Sequence, residues 1–263
     1  MSALVDTHAI VSPKAQLGEK VCVGPFSTIE DDVIIGEGTW IGPHAHIAEG
    51  SRLGKNCKVF SGAVVGGPPQ DLKYKGEPTT VEVGDNTVIR ECVTLNRATA
   101  ETGKTVIGHD CLFMAYAHVG HDCRVGNNVI LANCVPLGGH VHLGDFVIVG
   151  GLTPVHQFVH IGDHVMVGGG FRVVKDIPPY ILCGQEPLCF EGLNIVGLKR
   201  RGFSARAIEL LDTAFRILYR SNLNVSQAVA RIKEEVEPIP EVKKVLDFIA
   251  NSKRGILPGR SHR

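Results

Sequence analysis

The chain has 263 residues, enough for one large domain and a smaller one, and its 27 Lys and Arg are balanced by 27 Asp and Glu. That balance gives no global electrostatic case for a nucleic-acid partner. The opening Met-Ser-Ala-Leu-Val-Asp lacks a basic stretch before an apolar core, and no run approaches the ~20 apolar residues of a membrane span, so a cytoplasmic protein with no transmembrane segment is expected.

From the N-terminus, aliphatic residues recur every six positions: Val5, Val11, Leu17, Val23, Ile29, Ile35, Ile41, Ile47, Leu53, Val59 and Val65. A second series in the same phase runs Ile107, Phe113, Val119, Val125, Leu131, Leu137, Leu143, Val149, Val155, Ile161, Val167 and Val173. A helix repeats at 3.6 residues and a simple strand at 2, so a sustained period of six predicts a stacked parallel β-helix. A sandwich of short strands would not hold one phase over so many repeats. The fourth residue after an aliphatic one is usually small or β-branched, as in Ser27, Thr39, Ala45 and Cys57, which suits an inward-turned corner. Glycine often follows the aliphatic residue directly, as at Gly24, Gly36, Gly126 and Gly162, and is expected to supply conformational freedom and close backbone approach. Three hexads close a triangular coil of 18 residues, and coils stack at the ~4.8 Å strand spacing.

The hexads lapse at residues 67–80 and, more briefly, at 98–104, and Val83, Ile89 and Leu95 resume the phase between them. Both segments read as loops extruded from a continuing scaffold, where function tends to sit. The period changes after Pro178-Pro179, which divides the chain into a coil over 1–190 and a helical domain over 191–263. Ser204 can cap a helix carrying Ile208, Leu211, Phe215, Leu218 and Tyr219. A second helix is expected over 226–236, and a third from Pro240 with Val242, Val245, Leu246 and Ile249 on one face and Gly255 as its stop. These helices read as a cap on the open end of the coil. The eight cysteines lack framework spacing, and Cys57, Cys111 and Cys123 fall on the small corner position as buried fillers.

Eight of the twelve histidines lie between 109 and 164. With 18 residues to a coil, His121, His140, His156 and Gln157 could line one edge across three coils, within ~5–10 Å of one another. Two chemistries fit such a cluster: three imidazoles holding zinc, or one imidazole acting as a general base. Asp122 could orient His121, and Gly138-Gly139 one coil above could turn backbone N–H groups toward a developing oxyanion. His109, His142, His160 and His164 are expected on a solvated outer face.

The segments Gln70-Asp71-Leu72-Lys73-Tyr74-Lys75-Gly76-Glu77-Pro78, Ala117-His118-Val119-Gly120-His121-Asp122-Cys123, Gly139-His140-Val141, Val155-His156-Gln157-Phe158 and Gly197-Leu198-Lys199-Arg200-Arg201-Gly202-Phe203 resemble the acyl-carrier-protein:UDP-N-acetylglucosamine O-acyltransferase family. The resemblance runs through the whole chain and implies a left-handed parallel β-helix with a C-terminal α-helical domain. It implies transfer of an (R)-3-hydroxyacyl group from its thioester on acyl carrier protein to the 3-hydroxyl of UDP-N-acetylglucosamine, the first step of lipid A synthesis. By the same resemblance His121 is the general base, Asp122 its partner and Gly139 the oxyanion donor, with His118, His140, His156 and Gln157 lining the cleft. Asp71 and Lys73 would contact sugar and phosphate; Asn194, Arg200 and Arg201 would contact the nucleotide, its phosphates or the acidic carrier. Gly169 would leave the hydrocarbon groove open for a long acyl chain. The resemblance further implies a homotrimer with sites between subunits, and no bound cofactor or metal.

Asn96 and Val196 depart from the family pattern at positions facing the nucleotide-sugar, so the 3-amino analogue of the sugar is the alternative acceptor. Another hexapeptide-repeat enzyme, either a later acyltransferase or a zinc anhydrase, and a non-catalytic trimeric scaffold are the remaining alternatives.

Overall fold

In the computed structural model, which describes residues 2–259, strands of two to five residues form three sheets that are the faces of a triangular prism. Face 1 begins Leu4–Val5, Cys22–Val23, Trp40–Ile41; face 2 begins Ile10–Val11, Thr28–Ile29, His46–Ile47; face 3 begins Gln16–Leu17, Ile34–Ile35, Ser51–Leu53. Leu4 pairs with Cys22 and Cys22 with Trp40, all parallel, so the repeat of 18 is the register of the sheet itself. The coil is left-handed, against the usual right-handed crossover.

From Val23 onward each hexad aliphatic points inward. Val23, Ile29, Ile35, Ile41 and Ile47 are buried, as is Phe113, and each such side chain contributes about 1.5–3 kcal/mol by leaving water. The small corner residues are buried too, and their polar members find partners: Ser27 Oγ donates to the Gly42 carbonyl at 2.6 Å and Thr39 Oγ1 to that of Gly54 at 2.8 Å. Cys57, Cys111 and Cys123 fill corners as expected, and burial pushes the Cys111 thiol up to about 11 and that of Cys123 up to about 12.

The glycines after the aliphatic residue act through closeness alone. Gly24, Gly36, Gly126 and Gly162 do not have positive φ; the left-handed residue is the third after the aliphatic, as in Phe26, His44, Asn128, Phe146 and His164. The expectation of conformational freedom at the glycines is therefore corrected. What they provide is room: a Cβ on Gly126 would lie 2.7 Å from the Gly144 carbonyl carbon and 2.6 Å from Asp145 Oδ1 in the next coil.

Both extruded loops leave the same edge, between faces 2 and 3: Val64–Gly67 leads to Thr80–Val83, and Thr94–Asn96 leads to Lys104–Ile107. Lys58 pairs with Val88, 30 positions on, and Val88 with Leu112, 24 on. The insertions thus add whole hexads, which is why the phase survives them.

The faces differ outside. On face 1 the outward residues Val88, Leu112, Ile130, Ile148 and Met166 form an apolar row in register. On face 3 the outward row is Arg124, His142 and His160, the two rings stacked at 4.4 Å.

At the C-terminal end an antiparallel hairpin, Ile181–Gly184 with Cys189–Leu193, closes face 1, and four helices follow: α1 (Ile195–Arg200), α2 (Ala205–Arg220), α3 (Val225–Glu235) and α4 (Pro240–Asn251). Ser204 caps α2 as expected, accepting from the Ala207 N–H at 3.1 Å. Leu211, Phe215 and Leu218 of α2 are buried, and Phe190 of the hairpin stacks on Phe215 and Tyr219. Helical and coil residues share one core, so the helices cover that end of the coil. The hairpin and α1 lack a long periodic signal, and sequence reasoning passed over them. The α4 helix ends at Asn251 with Ser252 as its cap, before Gly255, which has φ +72° in the loop beyond. Among the described residues no helix is long and apolar enough to cross a membrane.

Gly126→Ala should destabilise the protein by about 1–3 kcal/mol in urea unfolding, because the coil above has no space for the methyl group. Gly67→Ala, whose Cβ would meet nothing closer than 3.6 Å, should stay within about 0.5 kcal/mol of the native protein.

Candidate active site

The register of 18 places His121, Gly139 and Gln157 in one vertical row on the edge between faces 2 and 3, and Asp122, His140 and Phe158 in the row beside it. The second row occupies the left-handed corner position, with φ of 60°, 60° and 64°. His140 stacks on Phe158 at 4.5 Å and meets His121 edge-on at 5.2 Å.

His121 Nδ1 lies 2.6 Å from Asp122 Oδ2. A carboxylate can only accept there, so Nδ1 carries the proton and the neutral ring leaves Nε2 bare. Asp122 is fully buried. Thr99 donates to it through its backbone N–H, at 3.2 Å to each oxygen, and through Oγ1 at 2.9 Å; Thr102 Oγ1 donates to Oδ1. Burial alone would raise the Asp122 pKa, but the bonds from Thr102, His121 and Thr99 together outweigh it and hold the carboxyl below its ordinary value.

Gly139 sits directly against the bare nitrogen: a Cβ there would be 2.6 Å from His121 Nε2 and from Cε1. Its N–H makes no hydrogen bond among the described residues. The corresponding corner between faces 3 and 1 shows the contrast. There the N–H groups of Lys55, Asp85, His109, Asn127 and Asp145 each donate to the side chain one coil on, at 2.7–3.0 Å. Gln157, at the same position one coil on from Gly139, accepts no such bond through its side chain among the described residues.

A cleft of about 430 Å³ opens on this edge, lined by Gln70 and Asn96, by His118, His121, Gly139, His156 and Gln157, and by Pro136, Leu137, Pro154 and Val155 across face 2. His118 Nδ1 lies 2.7 Å from Thr94 Oγ1, and burial, with the nearby His121 ring, lowers its pKa. His156 Nδ1 lies 3.0 Å from the Gln157 carbonyl. Asn96 donates from Nδ2 to the Pro68 carbonyl and so ties down the base of the first loop.

The expected residues divide into those gathered here and those elsewhere. His118, His121, Gly139, His156 and Gln157 line the cleft, and Asp122 stands behind His121. His140 does not line it; its Nε2 points between Asp122 at 3.6 Å and Glu101 at 3.7 Å. Asp71 and Lys73 sit on the first loop beside exposed Leu72, with the Lys73 N–H bonded to Asp71 Oδ1 at 2.9 Å. Gly169 is at the edge between faces 1 and 2, where a Cβ would meet the Gly151 carbonyl oxygen at 3.1 Å.

Asn194 and Arg201 are at the third edge, between faces 3 and 1, and Arg200 is the last residue of α1 between them in sequence. Asn194 caps α1 by accepting from the Gly197 N–H and donates to the His164 carbonyl at 2.9 Å. The Arg201 guanidinium lies 3.9 Å above the Phe146 ring. His164 is half-buried between Phe146 and Tyr180, which corrects its placement on a solvated face, whereas His109 is exposed as expected, its Nδ1 accepting the Asp85 N–H.

The donor chemistry bears on a metal. Among the described residues one set of potential ligands converges, His121, Asp122 and His140, within 4.8 Å. This is not the three-histidine set, and both Asp122 oxygens are already occupied by hydrogen bonds. The residues do not fit a zinc site of the anhydrase kind.

Residues 32–67 and 104–139 match the bacterial transferase hexapeptide family, and residues 176–257 match a family described as Udp N-acetylglucosamine O-acyltransferase, domain 2. Together with the coil, these matches place the protein among the hexapeptide-repeat acyltransferases. A curated relative from Sulfurihydrogenibium, named acyl-[acyl-carrier-protein]–UDP-N-acetylglucosamine O-acyltransferase, is 54% identical over 99% of this chain and 97% of its own. A relative of the same name from Thermodesulfovibrio yellowstonii is 47% identical over 94% and 96%. The solved UDP-N-acetylglucosamine acyltransferase of Bacteroides fragilis superposes with a TM-score of 0.94 at 45% identity, covering 96% of this chain and 99% of that one. The chain belongs to the acyl-[acyl-carrier-protein]–UDP-N-acetylglucosamine O-acyltransferase family.

Gly139→Ala should lower acyl transfer about 100-fold or more with little change in melting temperature, since the methyl group collides with the His121 ring rather than with the core. Wild-type turnover in that variant would contradict the geometry.

Proposed function

We propose that the protein transfers an (R)-3-hydroxyacyl group from acyl carrier protein to the 3-hydroxyl of UDP-N-acetylglucosamine, as in the first step of lipid A synthesis in the cytoplasm. The observation that carries this reading is the His121 ring, bonded through Nδ1 to buried Asp122 and presenting bare Nε2 to the cleft beside Gly139. Nε2 takes the proton of the sugar hydroxyl as its oxygen attacks the thioester carbonyl. The free Gly139 N–H donates to the oxyanion. Collapse breaks the C–S bond, and the proton on Nε2 passes to the departing thiolate. Asp122, held ionised, stabilises the imidazolium between these steps.

The same reading assigns a homotrimer. The cleft floor on face 2 is partly apolar, through the exposed Pro136 and Pro154, and face 1 carries an outward apolar row. Packing face 2 of one chain on face 1 of the next, cyclically, covers both. It also brings the His121 edge of one chain beside the Arg200 and Arg201 edge of its neighbour, so two arginines that make no ion pair among the described residues meet the diphosphate. Asn194 holds α1 in place for them, and Asp71 and Lys73 reach the sugar and a phosphate from the loop that already lends Gln70 to the cleft. The acyl chain runs inward between the packed faces toward Gly169, past His156 and Gln157. His140 supports the cleft from behind through its contact with His121.

The deciding experiment incubates the protein with a panel of 3-hydroxyacyl carrier proteins and either UDP-N-acetylglucosamine or its 3-amino analogue. The sugar nucleotide itself should be acylated, and His121→Ala should lose about 1,000-fold or more in kcat/KM; a variant retaining most activity removes the base. Gly169→Met should move preference to shorter donors, and unchanged selectivity would refute Gly169 as the end of the groove.

A further inference from the structure

The second extruded loop supplies most of the donors on Asp122. Residues 98–104 leave face 2 one coil below His121, and three of their groups converge on one carboxylate: the Thr99 N–H, the Thr99 hydroxyl at 2.9 Å and the Thr102 hydroxyl. The backbone beneath is fixed as well, since the Asp122 N–H donates to Thr105 Oγ1 at 2.9 Å. Thr102 is exposed and Thr99 half-buried, and Thr102 Oγ1 also lies 3.1 Å from the Lys104 carbonyl oxygen, an alternative acceptor for its single proton. A hydroxyl that served only the turn would need no aspartate. We propose that Thr99 and Thr102 are positioning residues for acyl transfer: by filling the outer lone pairs of Asp122 they fix the face it turns to His121 Nδ1, and with it the tautomer that leaves Nε2 free to take the proton. The inference rests on His121 being the base.

The physical reason is competition. A buried carboxylate without outer donors relieves its desolvation either by taking a proton or by rotating toward another donor, and His140 Nε2 is the nearest alternative at 3.6 Å. Either change releases Nδ1 of His121 and lets the proton move to Nε2. With the threonine bonds in place the carboxyl stays below its ordinary pKa. Stripping them moves that pKa upward, so Asp122 takes a proton and ceases to hold Nδ1 at a higher pH, and activity is lost sooner on the acid side.

The test compares native protein with Thr99→Val, Thr102→Val, the double valine variant, Thr99→Ser and His121→Ala, measuring kcat and KM across pH and the ring nitrogen shifts of His121 by NMR. Each valine substitution should lower kcat about tenfold with KM for the sugar nucleotide nearly unchanged, and should shift the acidic limb upward. The spectrum should change from the Nδ1–H tautomer to a mixture, and Thr99→Ser should restore both. If the double variant does not fold, Thr102→Val alone carries the test, because that side chain is exposed. Valine variants with kcat within twofold of native, an unmoved acidic limb and an unchanged tautomer overturn the proposal. An active His121→Ala overturns the base itself, and an inactive His121→Ala beside unaffected valine variants overturns only the role of the threonines.

Discussion

Close stacking of backbone on backbone at the coil corners governs this molecule. Every 18 residues the chain returns to the same place one strand spacing higher, and at the glycine corners there is no room for a Cβ between coils. Such a scaffold cannot slip by one residue without turning its aliphatic ladder outward. The position of any side chain along an edge is therefore set by its number within the hexad, and insertions are tolerated only as whole hexads, as both loops are.

The proposed catalytic geometry uses that rigidity. His121, Gly139 and Gln157 hold the same hexad position in successive coils, so the space beside the imidazole exists because position 139 has no side chain. Where the corresponding position at the third edge carries Asp, Asn or His, each backbone N–H is consumed by the side chain of the next coil. One corner is thus a closed ladder and another leaves a backbone N–H open beside an imidazole, built from the same turn with different residues at one place. The extruded loop over 98–104 then adds threonine donors that the repeat alone does not contain.

Much of this was legible beforehand because periodicity reports geometry directly. The coil, its phase through both interruptions, the corner cysteines and the Ser204 cap all follow from spacing and residue size. The grouping of His121 with Gly139 and Gln157 follows from counting 18. Thr99 and Thr102 were not legible, because they lie in a loop without a repeat, and only folding shows that it bends back over Asp122. His140 was placed in the cleft although counting 18 from His121 gives 139; spacing shows that offset of one residue but not that it turns the ring toward Phe158 and Asp122. The left-handed corner position was misplaced for a similar reason: glycine is common where coils touch, whereas Phe, His and Asp occupy the positive φ.

A prism separates its edges, so His121 and Arg201 of one chain lie at different corners, and the proposed site draws them together from two chains. The most direct test co-expresses His121→Ala and Arg201→Ala chains and measures acyl transfer by the mixed assembly. Random assortment should restore about a quarter of wild-type activity, because one chain then contributes an intact His121 edge and its neighbour an intact Arg201 edge. A mixture no more active than either variant alone would contradict a site shared between chains.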